Sequence, residues 1–255
     1  YYTRMTQRLI AAVSAPTAEG VLYELDLRLR PSGNKGPVAT HIDSFKKYQR
    51  QDAWTWEHMA LSRARAMAGD EALGREVEAE VAALLALPRD AAKVKAEASD
   101  MRAMIEAEKP ARDLWDIKLV PGGLIDLEFI AQVAVIIGQL EPGPRVTGTA
   151  QILSRLSPSF AEADVKQELG EAYSLYLAVT QMTRLCLTGV FEREDVPPGY
   201  RICFWRSPTC RISVCLRHIL RKRRERSGRI STFCYVRNDR DVTVKTSGRF
   251  DQHRG

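Results

Sequence analysis

The sequence is short of cysteine and histidine, has no long apolar run, and carries none of the common catalytic signatures. Five cysteines occur in 255 residues, and four of them (Cys203, Cys210, Cys215 and Cys234) fall after residue 199. Cys203, Cys210 and Cys215 lack the short paired spacing of a zinc site and are read as incidental. His58 stands alone among aromatics, and metal sites cluster His and Cys, so a packed, hydrogen-bonded histidine is expected there. No stretch approaches the roughly 18 apolar residues of a membrane span. The longest, near Ile130 to Ile137, is interrupted by Gln132 and ended by Gly138 and Gln139. Walker loops, dinucleotide fingerprints, nucleophile motifs and internal repeats are missing. The chain opens Tyr-Tyr-Thr-Arg, without an initiator Met or a signal peptide, so a piece of a longer cytoplasmic protein is expected.

The net charge of +6 is uneven. Residues 200–255 hold 15 Lys or Arg against 4 Asp or Glu, a net of +11, while residues 1–199 carry −5. The basic balance therefore belongs to the tail, and the body makes no case for nucleic acid. After Pro197-Pro198-Gly199 the text becomes Arg-, Cys- and Ser-rich and loses periodicity. Two readings stay open for this tail: an out-of-frame product or a lineage-specific basic extension. Either way it is expected not to pack on the body.

What is present begins at residues 21–38. Leu25, Leu27 and Leu29 alternate with Glu24, Asp26, Arg28 and Arg30, a period of two that predicts a strand with one buried and one charged face. Pro31 and Gly33 end it, and Gly36 and Pro37 continue a loop. A carboxylate and two guanidiniums beside a Gly-rich turn suit a metal ion and a polyphosphate, since carboxylate oxygens bind magnesium and arginine forks pair with phosphate. A solvated edge strand is the plainer alternative.

Elsewhere the periodicity is helical. Met5, Leu9, Ile10 and Val13 predict a helix over 1–14. Thr40 or Asp43 is expected to cap the next helix, which carries Phe45 and Tyr48. Trp54, Glu57, His58, Leu61, Arg65 and Ala68 predict a helix running to Gly69. Residues 70–87 and 90–108 are rich in helix formers and broken at Pro88 and Pro110. Residues 114–120 read as a short strand, Pro121-Gly122-Gly123 as a turn, and 124–140, 149–156 and 160–187 as helices. Asp126 and Glu128 fall in a first helical turn, where the dipole favours acids. The alternative is that they help a metal or orient a basic group.

Three blocks carry a resemblance. Tyr23-Glu24-Leu25-Asp26-Leu27-Arg28-Leu29-Arg30-Pro31-Ser32-Gly33 resembles the nucleotidyltransferase core of the bacterial glutamine synthetase adenylyltransferase family, whose members both add and remove AMP. Trp56-Glu57-His58-Met59-Ala60-Leu61-Ser62-Arg63-Ala64-Arg65 and Gly122-Gly123-Leu124-Ile125-Asp126-Leu127-Glu128-Phe129 resemble two further family blocks, in the same order. The resemblance covers residues 1 to about 199. It implies an α+β, mainly α fold: part of a polymerase-β-like nucleotidyltransferase domain over 1–69, a helical bundle over 70–199, and the atypical tail over 200–255.

The same resemblance implies Asp26 as the third catalytic acid and a magnesium ligand. Arg28, Arg30, Ser32 and Gly33 would lie at the nucleotide, supported by Glu57, Arg63, Arg65, Asp126 and Glu128. ATP is the implied substrate, with Mg2+ as cofactor and glutamine synthetase and the PII signalling protein as partners. The Glu57-His58 form of the second block points to the adenylylating half. The phosphorolytic, adenylyl-removing half and a non-catalytic helical module are the alternatives. The family's Gly-Ser-x-x-Asp-x-Asp element does not occur in this sequence, so the segment is expected to be inactive alone: one carboxylate cannot position two magnesium ions.

Overall fold

The computed structural model describes residues 1–18, 20–21, 25–112 and 116–186. The tail 200–255, the end of the expected bundle at 187–199, and Tyr23, Glu24, Leu114 and Trp115 lie outside the described residues. Within them the chain is mainly helical, with one sheet of two short antiparallel strands.

The strands β1 (Pro16–Thr17) and β2 (Gly20–Val21) follow helix α1 (Tyr2–Val13). The expected strand does not run on to residue 30. Residues 25–27 have no regular structure and Leu27 to Arg30 close a turn, with the Arg30 N–H 3.4 Å from the Leu27 carbonyl. The expected leucine face is not buried either: Leu25 is 43% and Leu29 55% exposed. Alternation sets which face a strand would bury, but a strand needs a neighbour to complete its ladder. Among the described residues none lies beside 25–30.

Helices α2 (Ile42–Gln51) and α3 (Thr55–Leu61) come next. The cap of α2 is neither Thr40 nor Asp43 but His41, whose Nδ1 accepts from the Asp43 N–H at 3.3 Å. Helix α3 stops at Leu61 rather than Gly69. The Ser62 hydroxyl donates to the Met59 carbonyl at 2.6 Å, competing for a helical acceptor, and the next N–H groups bond three residues back instead of four.

Helices α4 (Glu71–Leu85) and α5 (Ala91–Glu108) begin at aspartate caps. Asp70 accepts from the Leu73 N–H and Asp90 from the Ala92 N–H, both at 2.8 Å. The strand expected near 114–120 is instead, over its described part, a turn in which the Asp116 carbonyl accepts from Leu119 and Val120. The carbonyls of Ile117 and Lys118 then satisfy the free N–H groups of Leu124 and Ile125 at the start of α6 (Leu124–Ile136). This folding-back meets a need that an extended strand would leave open.

Helix α6 carries apolar residues on two sides, and the structure buries both. Leu127, Ala131 and Ala134 join Ile152, Leu156, Tyr173, Tyr176 and Val179 in a core with α7 (Thr149–Ser154) and α8 (Ala163–Cys186). Val133 and Ile136 face a second core with Met59, Val81, Leu85, Val94 and Ala98 from α3, α4 and α5. Gly138, at φ +67, turns the chain away after α6, short of the expected end at Leu140. No helix among the described residues is long and apolar enough to cross a membrane.

Candidate functional site

Asp26 and Arg28 sit two residues apart, so their side chains reach one another. The Arg28 guanidinium donates to Asp26 from Nε at 3.0 Å and from Nη2 at 2.6 Å, and the Arg28 main-chain N–H adds a third bond at 3.0 Å. These side-chain bonds first, and the main-chain bond second, hold the Asp26 carboxyl down at about 2. The same pairing raises the Arg28 guanidinium further above its ordinary range. Both groups are exposed.

Arg30 takes a different part. It donates to the carbonyls of Leu27 at 2.8 Å, Gly36 at 3.2 Å and Asn34 at 3.2 Å, a clamp across the turn. Inside the clamp Ser32 and Gly33 are both left-handed, at φ 60 and φ 53. For Ser32 that conformation costs roughly 1–2 kcal/mol. At Gly36 a Cβ would collide with the Pro31 carbonyl, so only glycine fits.

The second block is buried where the first is exposed. Glu57, 5% exposed, accepts from the Tyr48 hydroxyl at 2.9 and 3.1 Å and from the Trp54 N–H at 2.9 Å. Burial first, then the bond to Glu57, raises the Tyr48 phenol. His58 Nε2 lies 2.9 Å from the Gln49 carbonyl, and Nδ1 lies 3.5 Å from Arg89. The carbonyl needs a donor and the guanidinium an acceptor, which fixes a neutral ring with its proton on Nε2. Burial pushes the imidazole below its ordinary value. Arg63 pairs with Glu128 at 3.3 Å, while Arg65 is exposed.

The third block centres on Asp126, which is 6% exposed. It accepts from the Gly122 N–H and from Nε of Arg102, itself 4% exposed. Arg102 also donates to the Leu119 carbonyl at 2.8 Å. Arg102 escaped the sequence reading, yet Val94, Ala98 and Arg102 recur at four-residue spacing on one face of α5, and that stripe marks it as buried.

The structure joins the second and third blocks. Arg63 on the second block meets Glu128 on the third. It does not gather the acids: no three His, Cys, Asp or Glu side chains among the described residues could hold a metal. Asp26 shares both its oxygens with Arg28. The described residues do not by themselves fit the magnesium pair that the resemblance implies.

Residues 1–80 match the family model described as glutamate-ammonia ligase adenylyltransferase, and residues 99–185 match the one described as GlnD PII-uridylyltransferase. The chain is 83% identical over 199 residues to the bifunctional glutamine synthetase adenylyltransferase/adenylyl-removing enzyme of Mesorhizobium japonicum, covering 78% of this chain and 20% of the relative. It is 55% identical over 201 residues to that of Brucella suis and 53% over 205 to that of Agrobacterium fabrum, covering 79% and 78% of this chain and 20% of each relative. The matched stretch belongs to the glutamine synthetase adenylyltransferase family. The chain spans about a fifth of the length of these curated relatives.

Proposed function

We propose that this segment works within a cytoplasmic enzyme that transfers AMP from ATP to a tyrosine of glutamine synthetase, and so regulates nitrogen assimilation. The identity of 83% over 199 residues supports the reading, because the relative is named as a bifunctional glutamine synthetase adenylyltransferase/adenylyl-removing enzyme. Residues 1–69 would complete a nucleotidyltransferase domain, and 70–199 would form the bundle behind it. Asp26 would be one magnesium-binding acid among others supplied from outside the described residues, with Arg28 freed from it to meet phosphate. Arg30, Ser32 and Gly33 would shape the turn beside ATP. Glu57, Arg63, Asp126 and Glu128 would hold the blocks in place, with Arg65 at the surface beside them. Alone, the segment would not transfer AMP. PII would act as a regulatory partner, and neither nucleic acid nor membrane is a ligand.

A second reading makes the helical part a docking module for glutamine synthetase or PII. The match of residues 99–185 to a uridylyltransferase family favours it, since helices shared by enzymes of different named substrates suit a common partner.

The test is a full-length chimaera in which these residues replace the matched stretch of the Mesorhizobium japonicum relative. It is assayed in both directions, with ATP on unmodified glutamine synthetase and with phosphate on the modified form. Loss of AMP addition alone, when Asp26 is changed to Asn, supports the adenylylating half. Loss of AMP removal alone assigns the other half, and loss of neither supports the docking module.

A further inference from the structure

The first stretch of the chain is the one that the fold leaves uncovered. Among the described residues none before Gln49 is buried, and none before Phe45 joins either core. Seven of the thirteen exposed large apolar side chains nevertheless fall within the first 29 residues, so the apolar surface is concentrated there rather than scattered. Helix α1 carries the clearest part of it. Tyr2, Met5 and Leu9 recur at three- and four-residue spacing and share one face. All three are exposed, while Thr6, Ile10 and Val13 on the adjoining side are partly covered. The apolar stripe is therefore wider than the body covers.

Elements of this size do not stand alone. A helix of 12 residues is marginal in water without a packed face. The ribbon of β1 and β2 has two residues in each strand, all four exposed, and two strands by themselves are marginal too. Two features say what covers the stripe. Residues 1–80 match the adenylyltransferase model, yet the matched stretch is only 20% of the relative, so the other four-fifths of such an enzyme are there to supply a surface. Arg4 and Arg8 lie exposed beside the stripe, and α1 holds no acid. A second copy packed on the same stripe would bring guanidiniums and no carboxylate of α1 to meet them, whereas a surface rimmed by acids would pair with both.

We infer that the face of α1 bearing Tyr2, Met5 and Leu9 is the docking surface by which this segment seats on the rest of the longer enzyme, against an apolar surface rimmed by carboxylates. The inference rests on the function proposed above, since it takes the relatives' longer chain as its setting. The experiment is amide hydrogen exchange of α1, in the chain alone and in the full-length chimaera. Protection should be at least about tenfold greater in the chimaera. Leu9→Asp should remove that gain, while Gln7→Asp, which puts the same charge on the opposite face, should keep it. The pair Arg4→Glu and Arg8→Glu leaves the stripe intact and should reduce the gain severalfold. In the chain alone Leu9→Asp and Gln7→Asp should both leave the melting temperature unchanged, because neither side chain is buried.

Equal exchange in the chain and the chimaera, or an equal loss for Leu9→Asp and Gln7→Asp, overturns the inference. So does a dimer of the chain alone, seen by sedimentation velocity, that Leu9→Asp dissolves. Retention of the chimaera on phosphatidylglycerol vesicles that Leu9→Asp abolishes overturns it too, because the stripe would then belong to a membrane. The docking surface and the proposed function fail separately. Protection of α1 together with AMP transfer that survives Asp26→Asn in both directions keeps the docking surface and removes the catalytic role of Asp26. Transfer that needs Asp26, with α1 unprotected, does the reverse.

Discussion

Replacing Arg102 with Met should unfold the bundle more readily than any change at the exposed Asp26–Arg28 pair. The guanidinium and the Asp126 carboxylate are both at least nine-tenths buried, and Arg102 also serves the Leu119 carbonyl at 2.8 Å. Removing the cation leaves a carboxylate in the interior with the Gly122 N–H as its remaining described donor. Breaking a buried pair in this way costs about 3–5 kcal/mol. For a chain of this size each kcal/mol is worth about 2–4 °C, so the melting temperature should fall by roughly 6 to 20 °C. Asp126→Leu should cost a similar amount. The double variant should recover more than half of the summed loss, because no charge is then stranded. Urea and thermal unfolding of the chain, followed by far-ultraviolet circular dichroism, read all four corners of the cycle. Single variants within about 1 kcal/mol of the parent, or a double variant at the full sum, would refute the argument.

Three other outcomes follow from the same geometry. Gly123→Ala should destabilise by about 1–3 kcal/mol in denaturant unfolding, since its Cβ would meet backbone oxygen of Val120 at 2.7 Å, which cannot swing away. The folded-state value of His58 is depressed by burial, so the unfolded chain binds its proton more readily; stability is full above about 6.5 and declines as pH falls below it, and His58→Gln should flatten that decline in unfolding measured across pH. Arg28→Gln should return the Asp26 carboxyl from about 2 towards 3.8, read by carboxyl NMR titration; a midpoint that stays put would show that Arg28 does not hold it.

Much of the helical frame was legible because its signals are local. Residues 70–87 and 90–108 are rich in helix formers, and Pro88 and Pro110 lie just beyond the ends of α4 and α5. That residues 25–30 do not continue as a strand was not legible, since alternation sets a face but the ladder partner is non-local. The end of α3 turned on one serine hydroxyl bonding its own helix. At the site, the Asp26–Arg28 contact follows from two-residue spacing. The turn of Arg30 onto carbonyls does not, because the loop that offers them folds back from six residues on. Tyr48 read as a position of α2, and only the meeting of α2 and α3 reveals its hydroxyl on the Glu57 carboxylate.

The central claim places the chemistry at Asp26, and AMP transfer by the full-length chimaera tests it most directly. Asp26→Asn keeps the shape and removes the charge. Labelled AMP incorporation into glutamine synthetase should fall on the order of 10²-fold or more, the scale for losing a preorganised electrostatic group. The melting temperature should hold, because the Asp26–Arg28 pair is exposed and exposed pairs add little to folding. Near-normal incorporation by the Asn variant would contradict the account and leave Asp26 as a solvated partner of Arg28.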